Sequence, residues 1–442
     1  MKRLAVRIIK RLRRAGFQAY VVGGAVRDIV MGKRPKDYDI TTDARPEQIK
    51  ELFARTIPVG AAFGVVVVAM PYRNATRCFE VATFRHDRGI SDGRHPDEVI
   101  YTADVKEDVI RRDFTINGLL LDPLSNEIID HVGGLEDIER HRLRAIGDPS
   151  QRFLEDRLRM LRAVRFATTL GFDLDEPSAR AIQTHATTIT TLSWERIAEE
   201  LRRILTSAER GRGIRMLHTL ELLQPILPEV AACEGVTQDE RFHPEGDVLT
   251  HTLLTLEALR RPDFALALAA LLHDIAKPVT RVESDRIRFH GHDQIGAEMA
   301  ETVCRRLKLS RAEREKVVEL VRCHMRFIDL QKMREGKVRR FLESPLSADH
   351  IELHRADCLS SHRKLDKLRY IAALRRRWSR RPPATEPLLR GRDLLKLGYR
   401  PGPRIGRILE EVKELQLEGR LSNSQAAREY ALKYHPPIKS EE

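Results

Sequence analysis

Asp37 and Asp39 stand either side of Tyr38, in a stretch that reads as a short strand over residues 38–41. A spacing of two puts both carboxylates on one face of a strand. So placed they repel each other unless a cation sits between them. Hard oxygen ligands suit Mg2+, which keeps some waters and takes substrate phosphates to fill its octahedron. A third acid, Glu80 in CFEVATFR, lies on another expected strand and is a candidate to complete the set, with Asp113 as an alternative. Upstream, Gly23-Gly24 follows an expected strand (18–22) and precedes a helix-like stretch. Glycines there let the backbone approach a triphosphate, and helix N-terminal amides favour anions. Singly, Gly-Gly is a plain turn and Asp-x-Asp a solvated strand end. Gly-Gly, Arg27-Asp28 and Asp-x-Asp about ten residues on, all at strand–helix junctions, form a far rarer combination.

Arginines follow. KEDVIRRDFTINGLL (106–120) brings Arg111, Arg112, Asp113 and Asn117 ahead of an apolar run. The planar guanidinium fork suits phosphate; the plain alternative is a helix cap with surface arginines. In FLEDRLRMLRAVRFA (153–167), Asp156, Arg159, Arg162 and Arg165 recur every third residue, which on a helix is a ridge turning slowly about the axis. A solvated charged face is the default there. One acid and three arginines in strict register lean instead toward ligand contact, because a carboxylate and a guanidinium match the hydrogen-bonding edge of a base.

A second constellation is built from histidines. His251 lies in GDVLTHTLLTLEAL, His273-Asp274 ends the apolar LALAALLHDIAKP, and His292, His324 and Asp357 follow on later segments. A lone histidine on an apolar helix is usually a core residue. The adjacent His-Asp with partners on separate helices points to a metal, and imidazole with carboxylate oxygen suits Zn, Ni, Mn or Fe. Lys277, one turn on, is placed to orient phosphate.

These residues need two kinds of scaffold. The first ~145 residues alternate strand and helix signals, with further strands expected over 64–70 and 78–84; from about Phe153 the pattern is helical. At roughly 150 residues per domain, 442 residues make two to four domains. Glycine and proline punctuation sets the expected boundaries at 1–145, 146–235, 236–380 and 381–442, the last entered through a linker at 380–387. Lys and Arg number 78 against 65 Asp and Glu, a net +13 that calls for a polyanion, nucleic acid or an anionic membrane. The runs GVVVVAM and FALALAALL fall short of the ~18–20 residues of a membrane span. The N-terminal MKRLAVRIIKRLRRAGF reads as an amphipathic basic helix, not a signal peptide. Five scattered cysteines without a C-x-x-C pair suggest a reducing, cytoplasmic setting and no zinc ribbon. Aromatics at 5% are too sparse for base-stacking platforms, which leaves phosphate contacts and shape.

GGAVRD…DYDITT, FEVATFR, RRDFTIN and EDRLRMLRAVRF together resemble the class II tRNA nucleotidyltransferases, the CCA-adding enzymes and their bacterial poly(A) polymerase relatives, in order and spacing over the first ~165 residues. The resemblance implies an α+β fold: a polymerase-β-like head with a mixed sheet and helices, then an all-helical neck, body and tail. It implies Mg2+-dependent attack of the tRNA 3′-OH on the α-phosphate of CTP or ATP, with no membrane partner. Carried over, Asp37 and Asp39 hold the metal and Glu80 is the third carboxylate. Gly24, Arg27 and Arg112 contact the triphosphate, Asp156 and Arg159 pair with the incoming base, and Arg162 and Arg165 also contact nucleotide. The polar, glycine-containing segment 86–105 resembles the mobile loop that A-adding members use, and PVGAAFGVVVV (58–68) resembles CCA-adding more than poly(A)-tailing members. A-only addition and poly(A) synthesis are the alternatives within the family. The histidine pattern resembles the HD metal-dependent phosphohydrolases, with His251, His273, Asp274 and Asp357 as one metal set and His292 and His324 allowing a second ion. A phosphohydrolase with an RNA-binding head is the remaining alternative. LLRGRDLLKLGYRPGPRIGRILEEV, with Arg400, Arg404 and Arg407 about its turn, resembles the family's tail.

Overall fold

The computed structural model describes residues 1–57, 64–73, 75–88, 98–379 and 386–437. The segment 58–63, most of the 380–387 linker and the middle of the 86–105 segment lie outside them. The chain divides into two compact units, Met1–Ala231 with Arg306–Lys308, and Ala232–Arg305 with Leu309–Glu442. The first takes in the head and neck segments up to Ala231, and the second the body and tail.

The first unit begins with helix α1 (Lys2–Arg14), whose Leu4, Ala5, Ile8, Ile9 and Leu12 recur at helical spacing and are buried. Strand β1 (Ala19–Val22) runs into a turn at Gly23 (φ 74°) and helix α2 (Gly24–Val30). That backbone angle is one side chains other than glycine rarely adopt. After β2 (Asp39–Thr42) come helix α3 (Pro46–Leu52) and strands β3 (Thr56–Ile57), β4 (Val65–Tyr72) and β5 (Ala75–Thr83). Strands β6 (Arg85–Arg88) and β7 (Glu98–Tyr101) pair with each other. Helix α4 (Val105–Ile110) leads to β8 (Leu120–Asp122) and β9 (Glu127–Ile129), and α5 (Gly134–Glu139) closes this part. The sheet order is β3-β4-β5-β2-β1-β8-β9.

Two registers place the chemistry. β1 and β2 are antiparallel with Val22 opposite Asp39, so the Gly23-Gly24 turn and the Asp37–Asp39 segment emerge at the same end of the sheet. β2 and β5 are parallel with Ile40 beside Val81, which makes the residues one step earlier, Asp39 and Glu80, neighbours. Both ends of the 86–105 segment are a paired ribbon rather than loop, a correction explained by the β-branched and aromatic run Val99-Ile100-Tyr101-Thr102.

Helices α6 (Pro149–Glu155), α7 (Leu158–Leu170), α8 (Glu176–His185), α9 (Trp194–Leu205) and α10 (Arg210–Thr219) complete the unit. The expected single helix through 153–167 is broken at Asp156, which sits in extended backbone (φ −140°, ψ 102°) and accepts a hydrogen bond from Leu158 N at 3.1 Å. An aspartate there competes for the backbone as a cap does, so the arginine ridge starts at Arg159.

In the second unit, Asp247 and Asp263 cap the helices Val248–Ala258 and Phe264–Leu272. The second of these is buried on every side. Helices Arg311–Cys323 and Ser347–Ser360 pack around it. The tail helices Gly391–Lys396, Pro403–Leu417 and Ser424–Tyr434 gather their own apolar cluster around Leu394, Ile408 and Val412. Among the described residues, no helix is long and apolar enough to cross a membrane.

Body and tail are in tight contact at Gly336, where a Cβ would lie 2.4 Å from the carbonyl oxygen of Glu414. Gly336→Ala must push backbone aside. It is expected to cost about 1–3 kcal/mol, seen as a lower urea unfolding midpoint.

Candidate functional sites

At the shared end of the first unit's sheet, Tyr38 and Ile40 point inward and are buried, while Asp37, Asp39 and Glu80 keep solvent contact. Asp37 lies just before β2 rather than in it. Protein crowded around the Asp39 carboxyl, together with the charges of Glu80 and Asp37, pushes it up to about 6 against the pull of Arg112. Acids that disfavour one another's charge in this way are eased by a cation, and the oxygen-only donor set fits Mg2+. Asp113 is no part of it. It is buried, accepts hydrogen bonds from Phe114 N and Asn117 Nδ2, and binds Arg162 through Nε at 2.9 Å and Nη2 at 2.5 Å. That leaves Glu80, the neighbour of Asp39 across β2 and β5, as the candidate third acid.

Each expected nucleotide-binding arginine has an acid partner, although Asp108 and Glu155 each serve a second arginine as well. Arg27 pairs with Asp28 at 2.7 Å and reaches Asn117 Oδ1 at 2.8 Å. Arg112 pairs at 2.9 Å with buried Asp108, which also accepts from Arg111 and from Thr41 of β2. Arg159 pairs with Glu155 at 2.9 Å and donates to the carbonyls of Arg152 and Arg111. Arg162 takes Asp113, and buried Arg165 takes Glu200 of α9 at 2.6 Å. The arginines stay close together despite like charge because Arg27, Arg162 and Arg165 share the Phe166 ring, at 5.4, 5.3 and 4.0 Å from its centroid. Arg112 also flanks the turn, with Nη1 3.8 Å from where a Gly23 Cβ would be, and Arg27 Nη2 is 3.5 Å from a Gly24 Cβ. Asp156 is met by Arg196 of α9 at 3.4 Å. Arg112 Nε and Arg196 Nη1 are among the buried donors that find no partner in the described residues. Unmatched buried donors point to an acceptor that arrives with a ligand. Phe166, Glu155, Glu200 and Arg196 escaped the sequence reading. Phe166 lies in the quoted motif, but nothing in its spacing marks it as a shared ring.

In the second unit, all six expected His and Asp residues converge. His273, His292 and His324 each donate Nδ1–H to a carbonyl three residues back (Ala270, Phe289, Val321; 2.7–2.8 Å). His251 gives its Nδ1–H to Glu245 at 2.7 Å. With Nδ1 protonated, a neutral ring turns a bare Nε2 lone pair inward. Yet His251 and His273 face each other Nε2 to Nε2 at 3.3 Å, and His292 and His324 at 3.2 Å. Facing Nε2 atoms are eased by a metal ion between them or by a proton on one ring. Two ligand groups result, His251–His273–Asp357 and Asp274–His292–His324. Asp274 joins them, with Oδ2 3.2 Å from His273 Nε2 and Oδ1 3.5 Å from His292 Nε2. Burial opposes the charge on His251, but Asp357 and Glu245 raise it to about 9; burial drops His324 to about 4. Lys277 is buried and held by Asp274 and Gln238, both at 2.7 Å, so it is not free for phosphate as the site stands. The sequence reading passed over Glu245, which also accepts from His243 at 2.9 Å; the H-x-E spacing six residues ahead of His251 is its only signal.

Residues 19–144 match the family described as Poly A polymerase head domain, 171–234 that described as Probable RNA and SrmB- binding site of polymerase A, and 248–361 the HD domain. A CCA-adding enzyme of Lactobacillus helveticus is 32% identical over 428 residues, covering 96% of this chain and 95% of its own. An A-adding tRNA nucleotidyltransferase of Deinococcus radiodurans is 33% identical over 438 residues, covering 94% and 95%. A CCA-adding enzyme of Bacillus stearothermophilus, solved in complex with CTP, superposes with a TM-score of 0.72 at 26% identity over 97% of each chain.

Two measurements check this geometry. Glu245→Gln, which frees the His251 ring to turn, is expected to weaken metal binding to the second unit about 10–100-fold in a titration followed by calorimetry. Arg162 holds the buried Asp113 carboxyl down to about 2, against an ordinary 3.8. A lowered carboxylate contributes stability above its unfolded value and loses it as pH falls through the folded one. Unfolding midpoints should therefore drop between about pH 4 and pH 2, and Asp113→Asn should flatten that part of the curve.

Proposed function

The chain belongs to the CCA-adding tRNA nucleotidyltransferase family, and on that premise we propose that it adds C, C and A to the 3′ end of tRNA from CTP and ATP. The observation that carries this is the meeting of Asp37, Asp39 and Glu80 beside a glycine turn flanked by Arg27 and Arg112. The transfer balances simply: the 3′ oxygen bonds to the α-phosphorus, the bond to the β-phosphate oxygen breaks, and pyrophosphate leaves.

Asp37, Asp39 and Glu80 hold Mg2+, which when bound supplies charge neutralisation at the phosphates. Gly23 and Gly24 let the triphosphate approach the backbone. Arg112 offers it a buried, unpartnered Nε, and Arg27 lies beside Gly24. Asp156 and Arg159, at the break between α6 and α7, pair with the incoming base; both exchange internal partners to do so. Arg162 also meets the nucleotide. Arg165 acts from behind it through Glu200 and Phe166. In the second unit His251, His273, Asp274, His292, His324 and Asp357 would hold a transition metal, which would supply the Lewis acidity for phosphate-ester hydrolysis. The facing Nε2 pairs support that reading. The cytoplasm, where tRNA is matured, is the proposed location.

The kinship to an A-adding enzyme gives A-only addition a specific footing. Supplying nucleotides in turn separates the two. A tRNA transcript lacking CCA is expected to gain two residues from CTP alone and one more when ATP follows. No extension by CTP, with one A added to a transcript ending in CC, would establish A-only addition. Asp37→Ala with Asp39→Ala should abolish either.

A further inference from the structure

Helix α1 carries more positive charge than its surroundings neutralise. Its apolar face is spent in the core, and the opposite side exposes Lys2, Arg3, Arg7, Lys10, Arg11 and Arg14. Arg3, Arg7, Lys10 and Arg14 follow at steps of four, three and four, which aligns them in one stripe along the helix. The helix holds no acid. Arg13 reaches Asp122 at 2.9 Å, but among the described residues no ion pair is made by Lys2, Arg3, Arg7, Lys10 or Arg14. The arrangement works against the helix itself. Arg3 with Arg7, Arg7 with Arg11, and Lys10 with Arg14 are like charges four apart, and Lys2 and Arg3 oppose the dipole in the first turn. The five arginines of the nucleotide pocket each meet an acid, whereas these stripe residues meet none among the described residues.

We propose that the exposed stripe of α1 is a docking surface for the phosphates of the RNA substrate. This rests on the reading of the chain as a tRNA nucleotidyltransferase. Charge complementarity selects a polyanion, and burial of the apolar face selects RNA over lipid. A helix that lies in a membrane interface inserts its apolar side, and here Leu4, Ile8, Ile9 and Leu12 are each at most 4% exposed. What remains outward is charge alone, which suits a backbone of regularly spaced phosphates.

The test is a full-length variant with Arg3→Gln, Arg7→Gln, Lys10→Gln and Arg14→Gln, compared with the unaltered chain on a tRNA transcript. KM for tRNA should rise, and the slope of its logarithm against log salt should shrink by roughly three, on the order of 0.7–0.9 per lost contact. KM for CTP at saturating tRNA should not move. Tm should hold or rise, because repulsion is removed. A second variant, Arg3→Lys, Arg7→Lys and Arg14→Lys, keeps the charge and should keep the slope. If the unaltered chain fails to extend tRNA, the enzymatic reading falls. If it extends tRNA and the glutamine variant keeps the full salt slope, the docking surface alone falls. An unchanged slope together with lost binding to phosphatidylserine vesicles would assign the stripe to membrane instead.

Discussion

The parallel pairing of β2 with β5 is the constraint on which the first unit turns. Parallel neighbours cannot be joined by a tight hairpin, so the chain travels out through α3, β3 and β4 before β5 returns beside β2. What this detour achieves is a fixed side-by-side placement of Asp39 and Glu80, neither of which would stay next to the other unaided. The sheet's hydrogen bonds and buried neighbours such as Ile40 and Val81 hold the like charges in place. The raised Asp39 carboxyl is the measure of that enforced proximity. The arginine cluster follows the same logic with the sign reversed, and there Phe166 and a set of partner acids make the crowding tolerable.

The second unit reaches a comparable state by other means. Its central apolar helix delivers His273 and Asp274 at its end, and the helices packed on it bring His251, His324 and Asp357. Each ring is locked by Nδ1 to a carbonyl or to Glu245, so rotation cannot relieve the facing Nε2 atoms. In both units, packing holds groups together that, on the proposed reading, a cation would complete.

Much of this was legible in the residues. Alternation in QAYVV and CFEVATF announced β1 and β5, and the Asp-x-Asp spacing put two carboxylates on one side. The six His and Asp residues singled out from sequence in the second unit do converge; an adjacent His-Asp with partners on separate helices is a rarer pattern than a lone core histidine. What spacing does not carry is who pairs with whom. Asp113 was as good a third carboxylate as Glu80 until the fold gave it to Arg162. The three-residue recurrence from Asp156 to Arg165 promised one helix, and a capping side chain broke it. Glu245 and Phe166 are ordinary residues in sequence that matter through neighbours contributed by distant segments or by three arginines at once. The pairing of β8 and β9 rests on two three-residue strands, too short to show a period.

The internal partners of Asp156 and Arg159 bear on fidelity. On the proposed reading, these groups are already satisfied before a nucleotide arrives, by Arg196 and by Glu155 with two backbone carbonyls. A base then has to outbid them. One that restores every hydrogen bond breaks even on the exchange and keeps its stacking and phosphate contacts as net gain. One that restores only some leaves a partly buried carboxylate or guanidinium short, and that shortfall is far larger than the worth of the missing bond itself. A reader that rests in a closed, self-paired state thus rejects by default, and discrimination comes from what a mismatch fails to give back.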